Sequence, residues 1–372
     1  MTQDARPIAP GTRIKGRGAR SNQSGRFEAY QREAFDDGWG AVAKTGSEGD
    51  LPLPDRLATV VLKDASRSIV STNASPDIAF DQSINPYRGC EHGCVYCYAR
   101  PSHAYWGYSP GLDFESMIFS KPDGAKLLED FFNRPRYEPK PIVIGANTDA
   151  WQPVEKRLQL TRRILEVFAR YKHPVSFITK SALVLRDLDI LAPMAEAGLA
   201  KGAISLTTLD NRLARAMEPR AAAPHRRLKT IEGLHAAGLP VTVMMAPVIP
   251  ALNDHEIEPL LDAAAGAGAS GAGYVLLRLP LEIKDLFREW LAEKYPGKAA
   301  HIMSLLREMR GGRDYDPSWG QRGRGQGPYA ELIGKRFRTA MRRHGYASER
   351  RPLDFSQFQR PHGSADQPAL FD

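Results

Sequence analysis

The chain has 372 residues, 42% of them hydrophobic and 25% charged, with three cysteines and a formal net charge of +8. That length and apolar content suit one large or two ordinary domains around a sizeable core, so the chain reads as soluble and globular. The opening MTQDARPIAPGTRIKGRGAR has no apolar run behind its charges and is no secretory signal. The longest weakly polar window, AAAGAGASGAGYVLLRLPL, is broken by Arg278 and Pro280 and is no membrane span. A cytoplasmic protein with no membrane partner is expected.

Residues 1–55 are rich in Gly, Arg, Ser and Pro with little apolar periodicity, which predicts an irregular or disordered arm that does not carry the chemistry. Over 56–285 short β-branched runs alternate with helical patterns. The candidate strands are IAFDQSIN (78–85), PIVIGAN (141–147), VSFITKS (175–181), GAISLTT (202–208), PVTVMMAPVI (240–249) and GYVLLRL (273–279). Between them KRLQLTRRILEVFARY, LRDLDILAPMAEAG and HRRLKTIEGLHAAG read as helices, the last two ending at a glycine suited to a helix terminus. Strand, helix, strand at this spacing predicts parallel βα units, and six of them favour a barrel-like sheet over an open doubly wound one. Residues 286–347 predict a basic helical extension containing the Gly/Arg loop WGQRGRGQGP, and 348–372 a flexible tail.

All the cysteines lie within eight positions, as Cys90, Cys94 and Cys97 in NPYRGCEHGCVYCYAR, directly after the first core strand. Parallel βα folds place their sites at that end of the strand. An odd, tightly clustered count in reducing cytosol is a poor disulfide framework. A structural zinc site needs four ligands, and His92 or His103 would complete a Cys3His set, giving a zinc-binding, nucleic-acid-binding protein without catalysis. A 4Fe-4S cluster takes the three thiolates as a complete set and keeps one iron open for a small-molecule ligand.

With the βα rhythm, the C-x3-C-x2-C loop resembles the cluster loop of the radical S-adenosylmethionine superfamily. The stretches NPYRGCEHGCVYCYAR, NTDAWQPVE, ITKS, MEPRAAAPHRRL and APVIPALND, within about residues 75–310, resemble its spore photoproduct lyase-like, DNA repair photolyase-related branch. The resemblance implies an α/β fold, a partial (β/α)6 TIM-like barrel with the basic helical C-terminal extension appended. It implies a lyase-like enzyme in which a 4Fe-4S cluster on Cys90, Cys94 and Cys97 and S-adenosyl-L-methionine generate a 5′-deoxyadenosyl radical that abstracts hydrogen from an undetermined substrate. An electron donor such as flavodoxin or ferredoxin is implied as a partner. One departure is Ala251 in PVIPALND, where glycine is expected.

Carried onto this sequence, the resemblance sets the backbone of Tyr96 against the adenine and gives Tyr98 a catalytic, hydrogen-relaying role, although both phenols equally suit loop packing. Asn147, Thr148 and Asp149 offer acceptors to the methionyl ammonium, or form an Asx-type turn. Lys180 and Ser205 suit its carboxylate. Glu218 is assigned to the ribose or, with Arg220, to bracing the loop. Val248 or Ile249 would stack on the adenine. The lyase uses a further cysteine as hydrogen donor, and this chain has no fourth.

Residues 307–351 hold twelve Lys and Arg against five Asp and Glu, nearly all of the net positive charge. Interleaved with Tyr329, Phe337 and Tyr346, this segment suits a nucleic-acid backbone, or simply a solvated helical face.

Overall fold

The computed structural model describes residues 16–28, 57–346 and 352–361. Two short strands, β1 (Val60–Lys63) and β2 (Val70–Thr72), precede the predicted array, whose first strand is β3 (Gln82–Ile84). The chain then makes β4 (Tyr87–Arg88), the short helix α1 (Asp113–Ser116) and β5 (Met117–Ser120). β1, β5 and β4 form a separate three-stranded sheet in that order.

The other five predicted strands follow as β6 (Ile142–Ile144), β7 (Val175–Thr179), β8 (Ala200–Ser205), β9 (Val241–Val248) and β10 (Gly271–Leu276). They run parallel beside β3 in the order β10-β9-β8-β7-β6-β3, with β2 antiparallel on the outer edge of β3. This is the mixed α/β arrangement with a parallel sheet that the sequence predicts. β8 and β10 begin two residues earlier than their β-branched patterns, at Ala200 and Gly271, and their glycines are chosen for room. A Cβ at Gly202 would lie 2.5 Å from the Phe177 ring on β7, and one at Gly273 would lie 2.8 Å from Met244 Sδ on β9.

Helix α2 (Gly124–Phe132) follows β5, and α3 (Glu155–Leu158) and α4 (Leu160–Arg170) connect β6 to β7. Next come α5 (Leu188–Glu196), α6 (Asn211–Met217), α7 (Pro224–Ala236) and α8 (Ile257–Gly266). In α4 the buried residues Leu160, Ile164 and Phe168 recur every fourth position and form one apolar stripe. Along β7 this helix-covered side buries Val175, Phe177 and Thr179, whereas Ser176 and Ile178 between them are half-buried, as in a sheet that curls without closing. Gly198 and Gly238 end α5 and α7 at φ of 72° and 81°, the left-handed termination predicted for them.

The extension consists of α9 (Ile283–Lys294), α10 (Pro296–Glu308) and α11 (Pro328–Arg343). α11 lies on α8, where Arg336 Nε donates to Glu258 Oε1 at 2.8 Å and the Tyr346 hydroxyl to the Leu261 carbonyl at 2.9 Å. The Gly/Arg loop before α11 spans the gap between the two ends of the sheet. Leu276 N–H on β10 donates to Gly323 O at 2.8 Å, while Gly320 N–H reaches Asp77 Oδ1 at 2.6 Å and Arg322 binds Asp77 and Ser75 beside β2.

Two expected flexible segments are ordered in part. Residues 16–28 contain no helix or strand, yet Arg17, Gly18, Ala19, Ser21, Asn22 and Gly25 are buried, and 352–361 dock through Phe358, which packs on Phe132, Tyr137, Tyr171 and His173. Much of the arm and of the tail lies outside the described residues.

Ala251, after β9, sits at φ 58°, a left-handed conformation that costs a non-glycine residue about 1–2 kcal/mol. Ala251→Gly should therefore stabilise the fold by about 1 kcal/mol, after the greater freedom of glycine in the unfolded chain is allowed for. An unchanged or lowered urea midpoint would show that the strain is relieved by neighbours.

Candidate cofactor site at the strand ends

The loop after β3 is shaped by backbone turns. Gly89 and Gly93 adopt φ of 74° and 68°. Gly93 N–H donates to Cys90 O at 3.4 Å and Cys97 N–H to Cys94 O at 3.2 Å, so two successive turns carry the three cysteines. Cys90 and Cys94 are buried and Cys97 half-buried. The loop is pinned outward by Cys90 N–H to Phe114 O at 2.9 Å, and towards the sheet by Val95 N–H to Met217 O at 3.0 Å and Arg220 N–H to His92 O at 3.2 Å.

Two buried ionic groups hold it. Arg100, fully buried, donates through Nε to Cys94 O at 2.9 Å, through Nη1 to Pro110 O and Gly111 O at 3.0 and 2.8 Å, and through Nη2 to Glu115 Oε1 at 2.5 Å. Glu115 also accepts the Gly18 and Ala19 N–H groups at 2.9 and 2.8 Å, which ties the N-terminal arm to the loop. Between the first two cysteines, Glu91 accepts from Thr59 Oγ1 at 2.6 Å and Val154 N–H at 2.5 Å, and pairs with Arg220 at 3.0 Å. Glu91 N–H in turn donates to Gln152 Oε1 at 2.8 Å.

At the strand ends Lys180 Nζ donates to Ser205 Oγ at 2.7 Å, lies 4.0 Å from Glu218 Oε1 and stands 5.9 Å from the Tyr96 ring centroid. These four predicted residues are brought together. Glu218 is occupied as a brace: Thr207 Oγ1 donates to it at 2.7 Å, and Tyr96 and Arg227 bind it closely. Burial alone would raise its carboxyl, but Arg227, Lys180 and the Tyr96 hydroxyl outweigh that and hold it at about 2.

Asp149 has both oxygens engaged, by Trp151 N–H at 2.9 Å, Thr179 Oγ1 at 2.7 Å and Lys180 N–H at 2.7 Å, with His92 Nδ1 at 3.3 Å. Burial would raise it, but His92 and these donors lower it to about 2. It forms the Asx-type turn that its sequence allowed. The Thr148 hydroxyl is likewise spent on Tyr87 O at 2.7 Å, which leaves the exposed Asn147 side chain as the open polar group of the trio. Ile249, with Val248, is fully buried in the core, its N–H on Asn253 Oδ1 at 2.6 Å. Tyr98 is half-exposed, its hydroxyl bound to Ala146 O at the end of β6 and its ring under Arg278 at 5.4 Å.

Sequence reasoning missed Arg100, Glu115, Gln152, Arg227 and Asn253. Arg100, Gln152, Arg227 and Asn253 lie inside the quoted NPYRGCEHGCVYCYAR, NTDAWQPVE, MEPRAAAPHRRL and APVIPALND, so the motifs pointed at these four without a role, and Glu115 alone lies outside them.

Three thiols on one loop match the donor set of a cluster that offers a separate iron to each. Burial pushes all three up, which disfavours thiolates until a cation compensates. Among the described residues no group of three or more His, Cys, Asp or Glu closes on a single metal ion. His92 is turned to Asp149, and His103 is walled in by Tyr108, Phe114 and Phe119. Neither completes a zinc tetrahedron here. The residues fit the cluster better than they fit zinc.

The model of the Radical SAM superfamily matches residues 84–264. An uncharacterized protein of Mycobacterium tuberculosis is 33% identical over 296 residues, 79% of this chain and 82% of its own length. Another, of Methanocaldococcus jannaschii, is 30% identical over 175 residues, 46% of this chain and 62% of its own length. Among solved structures, a spore photoproduct lyase variant superposes with a TM-score of 0.55 over 80% of this chain and 84% of its own. The lyase complexed with dinucleoside spore photoproduct gives 0.54 over 76% and 79%. Both are 16% identical, a likeness of fold. The chain belongs to the radical SAM superfamily. It is an enzyme whose fold is that of spore photoproduct lyase.

Arg100→Met would remove the directly paired cation of the buried Glu115, leaving only the more distant charge of Arg17, and should cost about 3 kcal/mol. Adding Glu115→Leu should recover only part of this, because the Gly18 and Ala19 N–H groups then lose their acceptor. Urea unfolding of the two proteins checks it, and equal stability of Arg100→Met and the parent would remove the pair from its structural role.

Proposed function

We propose that the chain holds a 4Fe-4S cluster on Cys90, Cys94 and Cys97 and binds S-adenosylmethionine across the strand ends. The observation that carries this reading is that the chain's only thiols sit on a loop pinned beside the Lys180–Ser205–Glu218–Tyr96 group. When bound, the two cofactors supply one-electron cleavage of the sulfonium to a 5′-deoxyadenosyl radical that removes hydrogen from the substrate.

The residues divide into binders and braces. Lys180 and Ser205 present a cation and a hydroxyl to the methionyl carboxylate, and Asn147 presents its amide oxygen to the ammonium. Asp149 anchors the backbone of Lys180, and Glu218 with Arg227 fixes Tyr96 against the loop. Tyr98, next to the last cysteine and half-exposed, is the proposed hydrogen-atom relay, a role that requires its hydroxyl to leave the Ala146 carbonyl.

A nucleic-acid substrate is supported by the exposed cations of the extension. Arg310, Arg322 and Arg336 are spent inside the fold, but Arg313, Arg324, Lys335, Arg342 and Arg343 are exposed. Trp319, 56% exposed with Arg322 stacked on it at 4.1 Å, offers a base-stacking face beside them. In the cell the expected compartment is the cytoplasm, and no helix of the described residues is long and apolar enough to cross a membrane.

Anaerobic reconstitution with iron and sulfide should give a brown protein with about four irons per chain that forms 5′-deoxyadenosine from S-adenosylmethionine under dithionite. Cys94→Ala should abolish this activity, since no spare thiol exists. A colourless protein with one tight zinc would instead support the Cys3His reading. The enzyme should also fail to repair the thymine spore photoproduct efficiently, because no fourth cysteine is present as donor. Multiple-turnover release of thymine products from the photoproduct dinucleotide, followed by mass detection, would refute that expectation.

A further inference from the structure

The last strand of the sheet ends in a cation of its own. Arg278 stands two residues beyond β10, at the same end of the sheet as the cysteine loop. The backbone before it is fixed on both sides, since Leu277 N–H donates to Val248 O at 2.9 Å and Leu277 O accepts from Arg310 Nη2 at 2.9 Å. The Arg278 guanidinium lies over the Tyr98 ring at 5.4 Å, while the Tyr98 hydroxyl is bound to Ala146 O just past β6. β9, β8 and β7 separate β10 from β6 in the sheet. The Tyr98–Arg278 pair therefore reaches from one flank of the mouth to the other, directly beside Cys97.

Arg278 differs in its partners from the other cations of the mouth. Lys180 and Arg227 stand by Glu218, and Arg220 pairs with Glu91. Among the described residues no carboxylate pairs with Arg278. Its Nε is buried without a hydrogen-bond partner, and Nη2 makes one long contact, donating to the Tyr315 hydroxyl at 3.3 Å. Asp77, a carboxylate that feels its charge, is already claimed by Gly320 N–H at 2.6 Å and by Arg322. Asp316, next to Tyr315, accepts Ser318 N–H at 2.9 Å. Arg310 adds a second, fully buried guanidinium whose hydrogen bonds go to the Leu277 and Gln321 carbonyls. A half-buried guanidinium with an open donor and no paired counter-charge is unfavourable for the folded chain alone. An anion with two or more oxygens on that open edge makes it favourable.

The surroundings point to the kind of anion. Tyr315 belongs to the loop that carries the exposed Trp319 ring and the exposed Arg324, a flat face and a cation suited to a base and a phosphate. We propose that Arg278 is the substrate anchor of the mouth, taking a phosphate ester of the substrate on its open guanidinium edge beside the Tyr98 ring. This rests on the mouth being the cofactor site, and it specifies what the substrate presents there. Lysine would supply the charge at this position but neither the flat stack on Tyr98 nor the paired donors.

The test uses the reconstituted enzyme with S-adenosylmethionine bound, and measures by calorimetry the Kd of three probes: a dinucleoside monophosphate, its uncharged methylphosphonate analogue and a nucleoside 5′-monophosphate. The parent should bind a charged probe about tenfold more tightly than the neutral one, a comparison that needs no mutation. Preference for the diester identifies a strand as the source of the phosphate, and preference for the monoester identifies a free nucleotide. In Arg278→Gln the charged probes should fall to the level of the neutral one, and Arg278→Lys should recover part of the difference. Lys172→Gln, which removes an exposed cation at the opposite end of the sheet just before β7, should keep the parent's ratio. Equal affinity of the parent for charged and neutral probes overturns the proposal. So does an Arg278→Gln protein that has the parent's iron content and keeps its ratio, which would leave phosphate binding to the exposed cations of the extension. A parent that forms no 5′-deoxyadenosine even with dithionite refutes the cluster reading itself, and the anchor with it.

Discussion

The buried ion pair between Arg100 and Glu115 organises everything around the cysteine loop. A loop of this kind has few backbone partners of its own, so its carbonyls must be satisfied from elsewhere. Arg100 does this for Cys94, Pro110 and Gly111, with the planar donor fork that lysine lacks. A desolvated guanidinium requires a counter-charge, and Glu115 supplies it while capping the backbone of the arm at Gly18 and Ala19. The arm, the loop and the small three-stranded sheet are thereby one unit, although they are far apart in sequence.

The mouth of the sheet is built on the same logic. Glu218, Arg227, Tyr96 and Thr207 satisfy one another and hold a fixed frame, against which Lys180 and Ser205 project from neighbouring strands. Asn253 closes the far side by donating to Thr207 O at 2.8 Å and Pro247 O at 3.0 Å. Rigid braces behind a few open donors are what a site needs if a cofactor is to be held without reorganisation.

How much of this was legible follows from the physics of each part. β6 to β10 announce themselves through apolar, β-branched runs, but β3 is only Gln82–Ile84 at the polar end of its predicted run, and β4 has only two residues and no period to detect. The cysteines stand out by spacing, and Lys180 and Ser205 by their place at strand ends. Asp149 has the right chemistry for an ammonium, yet four neighbours claim it, a fact that composition cannot carry. Arg100 closes the quoted cysteine stretch without any sign of its role, and Glu115 lies outside every motif, because a buried ion pair has no period and its partners here are fifteen positions apart. Gly18 was read as part of an irregular arm. Its glycine answers to a neighbour, since a Cβ there would lie 1.7 Å from Gly93 O.

The Gly/Arg loop that reaches from Leu276 to Asp77 has a consequence for association. An open sheet offers unpaired backbone groups at its end strands, and these invite another chain to add a strand. Here Gly323 takes the Leu276 N–H at the end of β10, and Arg322 locks the same loop to the turn beyond β2. With that stretch of backbone spoken for, a visiting molecule meets side chains there, such as Trp319 and Arg324. Strand addition, which accepts almost any extended peptide, is thereby blocked at that point of the edge, and the rim presents residue chemistry in its place.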